Sequence, residues 1–411
     1  MMWCNMRQTP KFSIVTPSFN QAAYIGQTIE SVLSQAGDFE IEYWVMDGGS
    51  TDGSVEIIKH YAEQLASGRW PVRCAGVSMG WVSQSDNGQS DAINIGLRRS
   101  SGDILSYINS DDLYCPGAFE QVAREFTIRP ESDFVYGDGD VIDETGALQW
   151  EWLSRPYDYR VMTSYFFLLH GFTSHITPTT GGFTNYIMQQ ATFWRKTVLD
   201  KIGYFDETLH YAMDAEYWIR AGHAKLHLQH SPYKLGKFRW VPGTKTMSSG
   251  TIFWGDYLEI FRRYRGIHRL AIFFAYYYFN LAQHVNYDLQ QAIQQGQQVL
   301  TRWQHLPARE QKAITQQTEI GKALCCFLVA NTLHRQQRYT EAQRIYRVGL
   351  IGRPWLAFHP LALWYLLNRM VSPRFSAMLA NRLERWILYY HATRFDYRYH
   401  PRNQRQVTPH E

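Results

Sequence analysis

Three short apolar runs, each closed by a polar cluster, constrain this chain more than any other feature. Residues 12–16 (FSIVT) lead into Pro-Ser-Phe-Asn, 41–46 (IEYWVM) into DGGSTDGS, and 103–109 (DILSYIN) into Ser-Asp-Asp. Between them Ile25, Ile29, Val32 and Leu33, then Val55, Ile57, Ile58, Tyr61 and Leu65, recur at helical spacing, and 91–100 (DAINIGLRRS) reads as a third helix. A weaker strand reads over 72–77. Strands and helices alternating over short connections build parallel strands joined by right-handed crossovers. The expected class is therefore α/β with a mostly parallel central sheet. Ligands in such sheets bind beyond the carboxyl ends of the strands. Turn chemistry alone would account for one polar strand end, hardly three.

Further along, 134–143 reads as a strand entering a hairpin, 154–185 as irregular, 185–207 as a strand or loop before a helix, and 215–222 as a short helix. Beyond about residue 250 the pattern is helical. A chain of 411 residues suggests two or three units. The divisions read are a catalytic domain over 1–250, an Arg- and aromatic-rich helical region over 251–395, and a disordered tail over 396–411. Residues 323–354 form one tetratricopeptide-like helix pair with Ala342 and Tyr346 at favoured positions. A single copy makes it a packing appendage rather than an array.

The five cysteines (Cys4, Cys74, Cys115, Cys325, Cys326) include no C-x-x-C pair, which points to buried thiols in a reducing compartment. The N-terminus lacks the apolar stretch of a signal peptide, and no run is long enough to span a membrane. A cytoplasmic location follows. Charge is divided unevenly: residues 251–411 hold 21 Lys+Arg against 9 Asp+Glu, leaving 20 against 28 in the first 250 residues. A basic helical region rich in Trp and Tyr is either a solvated face or a contact with an anionic membrane surface or acidic partner, placing the chain at the inner face of the cytoplasmic membrane. No nucleic-acid partner is expected.

The strand ends carry Asp47, Asp86, Asp111 and Asp112. Carboxylates gathered at one sheet edge repel unless a divalent cation or ligand hydroxyls are bound. Mg²⁺ or Mn²⁺ favours one or two carboxylates together with phosphate oxygens, such as those of a nucleoside diphosphate. Asp47 suits a nucleobase or ribose. Asp47 and Asp52 also suit turn and capping chemistry, which is the reading for Asp52, with Ser50 or Thr51 capping the next helix. For Asp111 and Asp112 the alternative is a helix cap ahead of Pro116, but one cap does not need two acids.

Taken in order, TPSFN, ESVLSQ, DGGSTDGS, SDNGQSDAINIGL, GDILSYINSDD, QQATFWRK, IGYFDE and MDAEYWIR resemble the family 2 glycosyltransferases of GT-A fold over roughly residues 11–247. The resemblance implies a nucleotide-sugar donor, a divalent cation, and sugar transfer with inversion. It puts Pro17 and Phe19 at the nucleotide, Asp47 at the base, Asp86 at the base or ribose, and Asp111 at the ribose or a metal-bound water. Asp112 becomes the metal ligand, although Ser110 breaks the family's D-x-D spacing and leaves the roles of Asp111 and Asp112 open. Asp214 becomes the general base, taking the proton of the attacking acceptor hydroxyl, with Glu216 as the runner-up. Gln189, Gln190 and Arg195 fall on the acceptor side of the donor sugar, and Trp194 either stacks on a sugar or fills core. Arg239 and Lys245 are the candidate phosphate partners, Val241 standing where the family often has histidine. The processive Q-x-x-R-W motif is absent, so single-sugar transfer to a glycan or lipid-linked acceptor is expected. A binding or scaffold protein without catalysis, acting through the C-terminal helices, is the alternative. A nucleotidyltransferase would need a Gly-rich, lysine-bearing loop where TPSFNQAAY stands.

Overall fold

The computed structural model describes residues 9–154, 156–163, 187–241 and 253–370. The chain divides into two compact units, Met1–Leu270 and Ala271–Glu411. The helix Phe253–Arg265, grouped with the second region in the sequence reading, belongs to the first unit. Its buried Asp256 accepts the backbone N–H groups of Tyr211 (2.7 Å) and Ala212 (3.3 Å). The irregular 154–185 stretch and the 396–411 tail lie largely or wholly outside the described residues.

The first unit is built on a nine-stranded mixed sheet. Its strands are β1 Lys11–Ser18, β2 Ala36–Asp47, β3 Arg73–Ser83, β4 Ile104–Tyr107, β5 Leu113–Tyr114, β6 Phe134–Ile142, β7 Leu148–Trp152, β8 Thr192–Arg195 and β9 Leu228–Arg239. They lie in the order β3-β2-β1-β4-β8-β6-β9-β5, with β7 paired to β6. The pairings give six strands one direction, with β5, β7 and β8 running against them. The mostly parallel α/β sheet read from the sequence is thus present, and the expected hairpin after residue 134 is β6–β7.

The helical spacing read from the sequence has its physical counterpart in burial. Helix α1 (Ile25–Leu33) buries Ile25, Ile29, Val32 and Leu33 against the sheet. The helix Gln89–Arg99 approaches β1 so closely that a Cβ on Gly96 would stand 2.4 Å from Val15 Cγ1. Phe12 of β1 stacks on Phe119 with ring centroids 4.8 Å apart, and Phe39 and Phe193 meet Phe12 edge-on. Each such buried aromatic contributes about 1.5–3 kcal/mol. This core fixes β1, β2 and β4, and therefore their polar carboxyl ends.

In the second unit the helices Ala308–Arg335 and Tyr339–Leu350 pack on one another, and Pro360–Met370 follows. Gln337 makes the turn with φ 65°. Ala342 is buried, and Tyr346 stacks on Tyr365 at 4.6 Å. Cys325 and Cys326 are buried here, and Cys74, Cys115, Cys325 and Cys326 are all free thiols. No described helix is long and apolar enough to cross a membrane.

Candidate active site

Parallel pairing puts Ser18 opposite Asp47 and Asp47 opposite Ser83, so the ends of β1, β2 and β3 lie abreast. The Asp47 carboxylate faces inward and is buried. Its Oδ2 accepts from Gly49 N (3.1 Å), Ser50 N (2.9 Å) and Ser83 Oγ (2.6 Å), and Oδ1 from Ser50 Oγ (2.5 Å). Four donors fill the acceptor capacity of a carboxylate. The group that the sequence reading gives to the base is thus committed to holding the DGGS turn. The N-cap of the helix Ser54–Ala66 is Gly53 rather than Ser50 or Thr51, and Asp52 just before it accepts from Ser54 N (3.0 Å).

What the rim offers outward beside Asp47 is Phe19, 61% exposed, and the half-buried Asp86. They converge on Gly48, where a Cβ would stand 3.3 Å from Phe19 Cδ2 and 3.0 Å from Asp86 Oδ2. Only a residue without a side chain leaves that slot open. Burial raises the Asp86 carboxyl above its usual range; the Gly88 N–H opposes this, and the Asp91 and Asp47 charges add to it. Pro17 lies buried beneath. Ser18 Oγ is buried with no hydrogen-bond partner, an unpaired polar atom on the same row.

The Asn109-Ser110-Asp111-Asp112 loop follows β4, and its two acids have different environments. Asp112 is only 1% exposed. Its Oδ1 accepts the backbone N–H of Arg239 (2.8 Å), and its Oδ2 accepts from Gln190 Nε2 (2.8 Å) and Asn109 Nδ2 (3.1 Å). Thr28 Oγ1 donates to its carbonyl at 2.8 Å, tying the loop to α1. Asp111 keeps partial exposure, and its carboxylate takes no hydrogen bond from another described residue. Burial pushes Asp111 above the ordinary carboxylate range against the nearby Arg239 charge; burial pushes Asp112 well above it, and the Asp111 charge adds to that shift.

Of the two acids read as metal ligands, Asp112 faces inward and takes three N–H donors, and the carboxylate that keeps exposure is Asp111. Among the described residues no group of three or more His, Cys, Asp or Glu gathers at one point. One half-buried carboxylate with a second charge behind it still fits a hard divalent cation whose other ligands come from phosphate and water.

Arg239, a phosphate candidate in the sequence, is fully buried. Its guanidinium donates to the carbonyls of Asp111 (2.8 Å), Asp143 (2.9 Å) and Glu144 (3.0 Å) and to Gln27 Oε1 (2.8 Å). It also lies over the Tyr24 ring at 4.7 Å. It clamps the acidic loop from inside, with four of its five N–H donors committed to the chain. Lys245 lies outside the described residues.

Gln189 and Gln190 are buried under the loop. Gln189 Nε2 donates to the Tyr107 carbonyl (2.8 Å), and its neighbour holds Asp112. Trp194 is fully buried between Phe134, Phe205, Tyr217 and Trp218, so of its two readings core filling is the one found. Arg195 does not line the cleft either. It donates to the carbonyls of Ser132 (2.8 Å), Phe126 (3.0 Å) and Pro130 (3.3 Å) and lies over the Phe126 ring.

Asp214 stands half-buried in the first turn of the helix Met213–His223, which the Asp256 contacts anchor. The Tyr107 hydroxyl is raised well above its usual range by burial, then by the Asp214 charge, then by that of Asp112, so one phenol lies within electrostatic reach of both. Glu216, the runner-up base, is engaged within the chain. It is buried, paired with Arg220 through Oε2 at 2.7 Å, and accepts from Tyr264 Oη at 2.5 Å.

A polar pocket of about 250 Å³ opens between residues 87–90 and Glu207, His210 and Tyr211. Gln89 of this wall donates to Asn109 Oδ1 at 2.7 Å, joining the pocket to the acidic loop, and His210 and Tyr211 lead into Asp214. The sequence reading missed Ser18, Gln89, Asn109 and Asp256. Asn109 and Ser18 adjoin motifs already marked; for Asp256 no local signal exists, because its partners are 44 and 45 residues away.

Residues 13–185 match the family model "Glycosyl transferase family 2". An uncharacterized glycosyltransferase of Nostoc sp. is 26% identical over 143 residues, 33% of this chain and 41% of that protein. A PGL/p-HBAD biosynthesis glycosyltransferase of Mycobacterium bovis is 33% identical over 143 residues, 34% of this chain and 50% of that one. The chain thus spans half or less of the length of these two curated relatives. S. aureus TarS in complex with UDP-GlcNAc shares 18% identity at a TM-score of 0.45, over 82% of this chain and 90% of that one. The family match, the curated relatives and the ordered strand-end motifs agree: residues 13–185, on a mostly parallel α/β sheet, are similar to glycosyl transferase family 2.

Proposed function

We propose that the chain is an inverting, hexosyl-type transferase that moves one sugar from a nucleotide-sugar donor to a hydroxyl of a glycan or lipid-linked acceptor. The observation that carries this reading is the acidic loop itself: Asp112 and Arg239 hold it from inside while Asp111 keeps exposure, and Gln89 joins its Asn109 to a polar pocket whose His210–Tyr211 wall leads into Asp214. A pocket of about 250 Å³ lined by amides, a hydroxyl, a carboxylate and Tyr211 suits sugar hydroxyls and a ring face.

Phe19 and Asp86 hold the nucleoside at the slot over Gly48, with Ser18 Oγ as a further hydrogen-bonding group. Asp214 takes the proton of the acceptor hydroxyl as its oxygen bonds to the anomeric carbon and the bond from that carbon to the diphosphate breaks. Attack from the face opposite the leaving group inverts the centre. Asp111 would hold a divalent cation, Mn²⁺ or Mg²⁺, which supplies positive charge against the departing diphosphate. Asn109, Gln190 and Arg239 keep the loop in place. Polysaccharide or glycolipid synthesis at the inner face of the cytoplasmic membrane is the setting, with an anionic lipid surface as partner through residues 251–411.

A panel of nucleotide sugars screened by thermal stabilisation with Mn²⁺ identifies the donor. Release of the nucleoside diphosphate in the presence of acceptor glycans then tests transfer. Turnover indifferent to EDTA would remove the cation, and turnover surviving Asp214→Asn would remove the base.

A further inference from the structure

Among the described residues, eight of the fourteen exposed large apolar side chains lie within residues 339–370. So dense a concentration on one short stretch is not the scatter of single apolar residues that an ordinary surface carries. Three consecutive elements that pack on one another carry it: the helix Tyr339–Leu350, the 3₁₀ turn Pro354–Phe358 and the helix Pro360–Met370. Each has an inward face, Ala342, Leu356 and Ala362 with Tyr365, that is buried in the unit's own core. Outward stand Val348, Ile351 (71% exposed), Trp355 (58%), Phe358 (81%), Leu363 and Met370. The core is thus already filled from one side, and the apolar residues on the other side have nothing to cover them among the described residues.

Charge identifies the occupant. Residues 335–370 contain six arginines, Arg335, Arg338, Arg344, Arg347, Arg353 and Arg369, and one acid, Glu341. Glu341 is already paired with Arg338 at 2.7 Å. Arg335, Arg344, Arg347 and Arg369 are exposed. A second copy of this surface would set like charges against each other. An anionic lipid surface would instead receive the apolar side chains at the headgroup boundary and pair the guanidinium groups with its phosphates.

We propose that residues 339–370 form a docking surface for anionic membranes, with Trp355 and Phe358 as the inserted side chains and Arg344, Arg347 and Arg369 as the headgroup contacts. This narrows the anionic lipid partner proposed above for residues 251–411 to one surface; it rests on that part of the reading and not on the transfer reaction, which a failed flotation would leave standing.

The test is flotation of the full-length protein with vesicles of phosphatidylcholine alone or mixed with phosphatidylglycerol. Binding is expected only to the mixed vesicles, and it should fall steeply with salt. Arg344→Gln with Arg347→Gln should weaken it about thirtyfold, each charge contributing about fivefold. Trp355→Ser with Phe358→Ser should abolish binding, read as loss of flotation with mixed vesicles, and Phe358→Ser alone should diminish the tryptophan emission shift that mixed vesicles give the wild type. All four side chains are solvent-exposed, so circular dichroism and Tm should stay at the wild-type values. Absence of flotation with mixed vesicles, or flotation that is insensitive to both variants, overturns the proposal. An oligomer that Trp355→Ser with Phe358→Ser dissociates, with no vesicle binding, assigns the face to a second copy and also overturns it.

Discussion

At the strand-end rim of the first unit Asp47, Asp112 and Arg239 are buried and each held by three or more hydrogen bonds, whereas across residues 339–370 of the second unit apolar side chains stand in solvent. A polar group taken inside must find its partners in the chain itself, because an unpaired one costs about 1–3 kcal/mol and a charge more. Apolar groups left outside find theirs elsewhere. The rim teaches the same lesson on a smaller scale. Its inward acids hold the loops, and the groups that retain exposure, Phe19, Asp86, Asp111 and Asp214, are the ones left for ligand. Substitution should therefore read out as stability for the inward set and as binding or turnover for the outward set.

The largest expected effect is on the outward side. Asp214→Asn should lower transfer by about 10²–10⁴-fold, the usual worth of a positioned base, while nucleotide binding by calorimetry stays near wild type. Loss of binding as well would move Asp214 to the inward, structural set. Next come the buried groups: Arg239→Met and Asp112→Ala each leave partners unpaired and should cost about 3–5 kcal/mol of unfolding free energy in denaturant titration. A loss below about 1 kcal/mol would contradict the clamp.

Asp111→Asn separates the two neighbours. It removes a charge that burial already disfavours, so Tm should hold or rise, while the stabilisation given by Mn²⁺ with a nucleoside diphosphate should vanish. The pH dependence follows from the same shift. Burial raises both acids, so the folded chain holds their protons more tightly than the unfolded chain does. Their contribution to stability is present below the ordinary value of 3.8 and is lost as pH rises through their folded values. A bound cation competes with those protons, so its stabilising effect should grow over the same rise and stay flat in Asp111→Asn. At the small end, Phe358→Ser should change unfolding free energy by less than about 0.5 kcal/mol, whereas Phe327→Ala in the core of the same unit should cost about 3–5 kcal/mol.

The fold was legible because its signals are local. Ile25, Ile29, Val32 and Leu33 announce a buried helix face by spacing alone, and each strand end is marked by its own polar cluster. The candidate site's residues can be named from the sequence, but their orientation cannot. Asp111 and Asp112 are indistinguishable by sequence; what separates them is the backbone N–H of Arg239, 127 residues on, and the side chain of Gln190, which claim one and leave the other. Arg239 likewise reads as a phosphate ligand until the carbonyls of Asp111, Asp143 and Glu144 surround it. Trp194 and Arg195 follow the same rule, since their roles are set by carbonyls and rings brought in from β6 and its flanks. Long-range partners decide which way a polar residue faces, and no local pattern encodes them.

The central claim is that this rim binds a nucleoside diphosphate through a cation held by Asp111 and uses Asp214 only for the transfer step. Thermal unfolding of wild type, Asp111→Asn and Asp214→Asn against a panel of nucleoside diphosphates, with Mn²⁺ or EDTA, tests it most directly. The account requires one nucleotide to raise Tm in a Mn²⁺-dependent way for wild type and Asp214→Asn and to leave Asp111→Asn unmoved. A shift that persists in EDTA or in Asp111→Asn, or no shift with any nucleotide, would contradict it.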